Sequence, residues 1–402
     1  MDFVVQQAAT ILNAVVQQQT GQAAVAQINN AEDFISTADT ALKTGRDPVL
    51  NAISQVWRNT VFAARGYDNP LATLRFTAER WGNATRKLSP EAAEMEDDER
   101  YLYPVGYDAN QTDPYGNGLS VDMWKIRKQK VVQTNFYGSL VYEQVYTIFQ
   151  DQFDVAFTSP EEFVRFNAMN LTERMNDRAS YEEAKARLLQ VNFIGALLDE
   201  NNSERVIHLL TEYNTATGLV TPLTATTVMQ PDNFEAFIRW MYARIKTIVG
   251  LMRHRSNMFQ TVLTGKNILR HTDAENVRVA LYTPFMEMIN SMVLSNLYNA
   301  DMMRLPTYEA IDFWQSIKSP QTIKIEPHYT GANGSPKNGS AVDNSTVIGL
   351  IHDRDAIGYN WISPRALVTP VNAAGAYYNE FYHARFATLS DNTEKGVVLC
   401  LD

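Results

Sequence analysis

The chain has 402 residues, 45% of them hydrophobic and 20% charged, enough for two or three soluble structural domains with ample core. Its net charge of −10 argues against a dedicated nucleic-acid binder, which would carry a basic stripe. A single cysteine, Cys400, excludes intrachain disulfides and multi-cysteine zinc sites and fits assembly in a reducing cytoplasm.

Residues 1 to about 65 read as an arm. Val4, Ala8, Ile11 and Val15 make a helical stripe among glutamines, with too little apolar area to stand alone. A second amphipathic piece runs from about Asp47 to Ala64. The first basic residue is Lys43, so the start lacks the positive region of an export signal. No window approaches the roughly 18 apolar residues of a membrane span.

From Leu71 to Val132 the pattern is an elongated excursion with strand-like flanks. Its tip holds Glu91, Glu94, Glu96, Asp97, Asp98 and Glu99, and its descending side holds Lys125, Arg127, Lys128 and Lys130. One reading is a solvated charged face. The other is head-to-tail complementarity, in which the acids Glu94, Glu96, Asp97 and Asp98 of one copy meet the bases of the next. A protrusion of about 60 residues is uncommon in a monomer and is expected where it drapes over a neighbour.

Val131 to Phe157 partly alternates, and a long helix is then expected over 159–194. Ser159-Pro160-Glu161-Glu162 supplies an N-cap hydroxyl, a proline at N1 and a carboxylate at N3. Val164, Ala168, Leu171, Met175, Ala179, Ala186, Leu189 and Phe193 recur at helical spacing, with Glu182 the one polar intruder. Glu161–Arg165 and Glu183–Arg187 are i,i+4 pairs assigned to the wet face. Unbroken, this rod is roughly 50 Å long. Asn176-Asp177-Arg178 and the capping box at Ser180 leave a pair of helices open as well.

A short helix is expected near Ser203 to Tyr213, closed by Gly218. An amphipathic helix over 232 to about 253 follows, capped by Asp232 or Asn233, with Phe234, Phe237, Ile238, Met241, Ile245, Ile248 and Met252 on its buried face. Then come a strand (Val277 to Tyr282), a Met-rich helix near Pro284, a strand at Thr322 to Ile325 and a turn-dense loop, Gly331 to Gly339. Val347 to Ile351 is a buried strand running into His352-Asp353-Arg354-Asp355. Tyr377 to Leu389, a turn at Ser390 to Thr393 and a strand from Gly396 to Leu401 look like a hairpin.

Chemistry is sparse. None of the six histidines lies at metal-ligand spacing from another. Phosphate loops, dinucleotide fingerprints and nucleophile elbows are absent from the sequence. The cluster at His352 reads as a strand end whose arginine pairs an aspartate. Met286, Met288 and Met292 read as core. No catalytic, cofactor or metal residue is assigned.

The order of arm, charged excursion, long helix, α/β region and closing aromatic strands resembles the major capsid proteins of tailed double-stranded-DNA phages, the Hong Kong 97-like fold. The closing segments, Val347 to Ile351 into Asp353-Arg354-Asp355-Ala356, Tyr377 to His383 and Gly396 to Leu399, are similar to those of several such coat proteins. The resemblance implies an α+β fold with an N-terminal arm (1–70), an E-loop (71–132) and a peripheral domain (133–231) with its spine helix (159–194). It further implies a mainly axial domain over 232–375, with a peripheral insertion near 311–345, and C-terminal strands (376–402). It implies pentamers and hexamers in an icosahedral shell around packaged DNA held without sequence-specific binding, inside a virion assembled in the host bacterial cytoplasm. A separate scaffolding protein and a portal protein are the implied partners, with no membrane and no cofactor. Some relatives join Lys and Asn side chains; Lys87 or Lys337 would supply the lysine, but the sequence gives no reason to expect that bond here. Two other readings stay open: an encapsulin-type compartment shell, and a cytoplasmic α+β enzyme or binding protein.

Overall fold

A computed structural model describes residues 67, 69–76, 84–93, 124, 126, 128–137, 140–149, 160–292 and 308–402. In chain order they form β1 (Ala84–Pro90), β2 (Val131–Tyr137), β3 (Leu140–Phe149), α1 (Pro160–Glu200), β4 (Val206–His208), α2 (Leu209–Thr217), α3 (Pro231–Met252), β5 (Val277–Tyr282) and α4 (Thr283–Met292). Then follow β6 (Tyr308–Ile311), β7 (Ile323–Ile325), β8 (His328–Thr330), β9 (Pro336–Asn338), β10 (Val342–Asn344), β11 (Val347–Asp353), β12 (Ile357–Val368), β13 (Tyr377–Ser390) and β14 (Gly396–Cys400).

The described residues divide into two compact units. One gathers the segment ending at 85 with 137–191 and 357–390; the other gathers 86–136, 192–356 and 391–402. This division cuts across the segments read from the sequence. It splits 133–231 within α1 and moves 357–375 from the 232–375 segment to the company of β3.

In the first unit β12, β13 and β3 form an antiparallel sheet in that order. One face packs on α1 through rings, with Tyr142–Tyr181 centroids 4.6 Å apart and Tyr181–Phe386 6.1 Å apart. Nothing in the local pattern announces β12, which contains Pro364. The register of β12 against β13 shifts between Ile362 and Arg365, and such a bulge accommodates a residue that cannot donate to the ladder.

α1 is one helix of 41 residues, about 60 Å at 1.5 Å per residue. It is continuous through Asn176 and Ser180, and it extends past 194 to Glu200; Ser159 lies outside the described residues. Polar side chains mid-helix weaken a helix when they compete for its backbone. Here they are otherwise engaged: Asn176 Oδ1 accepts from the Tyr67 amide at 2.7 Å, and Asp177 accepts from Gln144 and the Tyr146 hydroxyl at 3.0 and 2.9 Å.

The second unit is built on a five-stranded sheet ordered β4-β14-β11-β5-β6, antiparallel in the middle and parallel at both edges. Every residue of β11 and β14 is buried, as expected for strands covered on both faces. α2, α3 and α4 supply the core against it, and the seven expected apolar residues of α3 are all buried. The cap of α3 differs from expectation. Gln230 occupies the N-cap and Pro231 N1, because the missing proline N–H is a donor the first turn would orphan anyway. Residues 206–208 pair in parallel with β14, so α2 starts at Leu209 and not near Ser203. It ends at Gly218, where φ is +61° and the amide donates to Asn214 O.

The expected terminal hairpin does not form. β13 pairs with β12 and β3, while β14 pairs with β11 and β4. The chain crosses from one unit to the other between Ser390 and Asp391.

Candidate functional site: a buried polar hub and an exposed root

Ser390 to Thr393 reads as a turn, yet Asp391, Asn392 and Thr393 are buried, as are Glu394 and Lys395 after them. Their side chains gather segments that are remote in sequence. On β1, Lys87 Nζ lies 2.8 Å from Asp391 and 2.5 Å from Glu394, and Arg270 lies 3.1 Å from Glu394. Asn392 donates to Glu200 Oε1, Thr261 Oγ1 and Thr330 O, and its Oδ1 accepts from Thr330 N. Glu200, the last residue of α1, also binds the fully buried Arg205 at 2.6 Å. The Lys395 ammonium donates to His254 O and Ser256 Oγ.

Among the ion pairs the charges balance, Lys87, Arg270 and Arg205 facing Asp391, Glu394 and Glu200. Burial works against the charged form of Lys87, but Asp391 and Glu394 outweigh it and raise its pKa. Burial also opposes the Asp391 carboxylate; Lys87 and Thr393 overcome that and hold it below the ordinary range. For Glu394, burial wins over Lys87 and Arg270 and its pKa is raised. Burial likewise lowers Arg205 to about 10 and Lys395 to about 8.

The hub fixes the root of the excursion. Besides Lys87, Ser89 accepts from Arg270 at 2.8 Å, Glu91 pairs with Lys266 at 3.2 Å, and the amides of Glu91 and Ala92 donate to Lys130 O and Asn267 O. Beyond that root, Glu94, Glu96, Asp97, Asp98, Lys125 and Arg127 lie outside the described residues. Lys128 and Lys130 are described, and both are exposed. They stand among large apolar side chains facing solvent: Trp124 at 79%, Ile126 at 91% and Val131 at 56% exposure.

Further along, the end of α1 holds the β8–β9 hairpin. Asn192 bonds both the amide and the carbonyl of His328 at 2.8 Å. Asp199 accepts from Tyr329, Lys337 and the Ser340 amide, and the Tyr329 hydroxyl leads in lowering it to about 2. Gly339 permits this closeness, since a Cβ there would lie 2.8 Å from Asp199 Oδ2.

Within the first unit, the polar intruder of α1 has its own explanation. Glu182 accepts from Arg75 at 2.5 Å and from Trp361 Nε1, and Glu183 accepts from the Tyr67 hydroxyl at 2.5 Å. Glu183–Arg187, assigned to the wet face, is buried, with a 2.6 Å separation. Arg174 and Arg178 lie over the Tyr146 and Trp361 rings at 4.3 and 4.7 Å.

The remaining expectations are quickly placed. Arg354 forms no ion pair among the described residues; Asp353 instead accepts from Thr272 Oγ1 at 2.5 Å and from the Asp355 amide. His352 is fully buried, its Nδ1 is 2.8 Å from Asp353 O, and burial lowers it to about 4. Met286 is core. Lys87 is committed to the hub and unavailable for surface cross-linking.

The family model that matches the chain describes the Phi29-like phage major capsid protein and covers residues 10–393. The chain belongs to that family. The major capsid protein is a structural subunit that self-assembles into the shell of the virion, and of the three readings the sequence left open this is the one the family bears out. Two solved structures share its α+β fold. One is the capsid structure of Staphylococcus phage Andhra, 9% identical, with a TM-score of 0.52 over 84% of this chain and 86% of that chain. The other is a chain from the structure of the head fibre and inner core protein of native bacteriophage P68, also 9% identical, with a TM-score of 0.50 over the same shares. No curated protein sequence matches. Among the described residues no helix of this capsid protein is long and apolar enough to cross a membrane.

Proposed function

We propose that the capsid protein forms pentamers and hexamers of an icosahedral shell around packaged double-stranded DNA, without catalysis. A separate scaffolding protein guides assembly and a portal protein occupies one vertex. The unit built on β3, α1, β12 and β13 serves as the peripheral domain and the unit on the five-stranded sheet as the axial domain. The excursion after β1 is the E-loop, and the residues before 71 are the arm. The acids Glu94, Glu96, Asp97 and Asp98 of one copy face Lys125, Arg127, Lys128 and Lys130 of the next.

The observation that carries this reading is the excursion's root. A buried ionic hub fixes where the loop leaves the subunit, and the residues just outside it expose Trp124 and Ile126 beside Lys128 and Lys130. Exposed apolar side chains beside basic ones suit a contact with another copy in a self-assembling protein. Electron microscopy of the purified chain, with and without co-expressed neighbouring genes, tests the reading. Closed shells are expected, and a monomer at every concentration under both conditions would overturn it.

A further inference from the structure

On a chain of net charge −10, one surface of the second unit is cationic. Lys246 and Arg253 are seven residues apart and share a face of α3 near its end, with Gly250 between them; Arg255 follows the helix. The backbone bonds between Ser256 and Arg270 bring His271 beside them. Lys246, Arg253, His254, Arg255 and His271 are all exposed, and none forms an ion pair among the described residues. Arg253 and His254 border an open cavity of about 670 Å³ whose other lining residues are Thr247, Gly250, Leu251 and Asp273, the last its one carboxylate.

A second observation comes from beneath. Lys395 is fully buried, and its ammonium points at the 254–256 loop from inside, bonded only to neutral oxygens of His254 and Ser256. No carboxylate lies within ion-pair distance of it among the described residues. A cation at the end of α3 is explained by the helix dipole. That account does not reach Arg255 or His271.

We propose that this surface contacts the phosphate backbone of double-stranded nucleic acid. The inference rests on the shell reading above. Lys246 and Arg253 are about 10 Å apart along the helix at 1.5 Å per residue, a spacing that lets each meet a different phosphate of a polymer. Few contacts per copy give weak binding, and repetition over a shell multiplies it.

The test uses dilute, unassembled full-length chain and a fluorescent DNA duplex of about 20 bp, titrated from about 50 to about 200 mM salt. With three phosphates contacted, log affinity should fall against log salt with a slope of about −2.7. The triple variant Lys246→Gln, Arg253→Gln, Arg255→Gln should bind at least about tenfold more weakly at low salt, with a slope near zero. Arg255→Gln alone, beyond the helix, should flatten the slope by about one with unchanged melting. Unchanged affinity and slope in these variants, or no binding by the wild type at low salt, overturns the inference. So does a variant that binds duplex normally but forms no particles, which would mark the surface as a contact between copies. Wild-type shells without duplex affinity would remove this inference alone; duplex binding without shells would remove the shell reading and leave the surface.

Discussion

Two buried regions of the second unit are stabilised by opposite means. Along α3, Phe234, Phe237, Ile238, Met241, Ile245, Ile248 and Met252 sit in an apolar core with no polar partner to satisfy. At 391–395 five polar residues are equally buried; Thr393 bonds Asp391 two residues back, and the other four are matched to partners from remote segments. The apolar seam contributes free energy in proportion to area and tolerates approximate shapes. The hub contributes little net stability, since desolvation offsets much of its attraction, but it is intolerant of a missing partner. Register is what it supplies: β1, the end of α1, the 254–270 loop and the β8–β9 hairpin meet in only one arrangement. A subunit whose exposed loop must find a neighbour gains from fixing that loop's root.

The contrast can be broken by substitution. Phe237→Ala should have the largest effect, a loss of about 3–5 kcal/mol in unfolding free energy, with little dependence on pH in denaturant titrations. Lys87→Met should cost about 3 kcal/mol at neutral pH by leaving Asp391 and Glu394 with Arg270 alone. Its deficit must shrink as the pH falls through the carboxylate range. Without the lysine both acids have raised folded-state values, and protonating them removes the repulsion. A deficit in Lys87→Met that stays constant with pH would show that packing, and not charge, is what the lysine supplies there.

The same division decides what was legible in the sequence. α3 could be read almost residue by residue because an apolar core stamps its period on one helix. Its cap could not, since Pro231 and Asp232 both favour a helix start and differ by a single position. α1 was legible as a rod, but its buried face around Glu182 was not: Arg75, Tyr67 and Trp361 arrive from segments far away in the chain. The hub was misread as a hairpin turn for the same reason. Asp, Asn and Thr in succession signal a turn locally, and only the pairing of β13 and β14 with different sheets shows that the turn is interior. β12 escaped because Pro364 argues against a strand unless a bulge is present. The charged excursion was visible as composition alone. Its residues at Lys128 and Lys130 are exposed.

Shell yield at low ionic strength measures the central claim, that outlying charge on one copy completes its neighbour. Neutralising the tip with Glu94→Gln, Glu96→Gln, Asp97→Asn and Asp98→Asn should leave the circular dichroism spectrum intact and sharply reduce particles, with the gap to wild type narrowing as salt screens the pairing. Full yield from that variant in low salt would contradict the account.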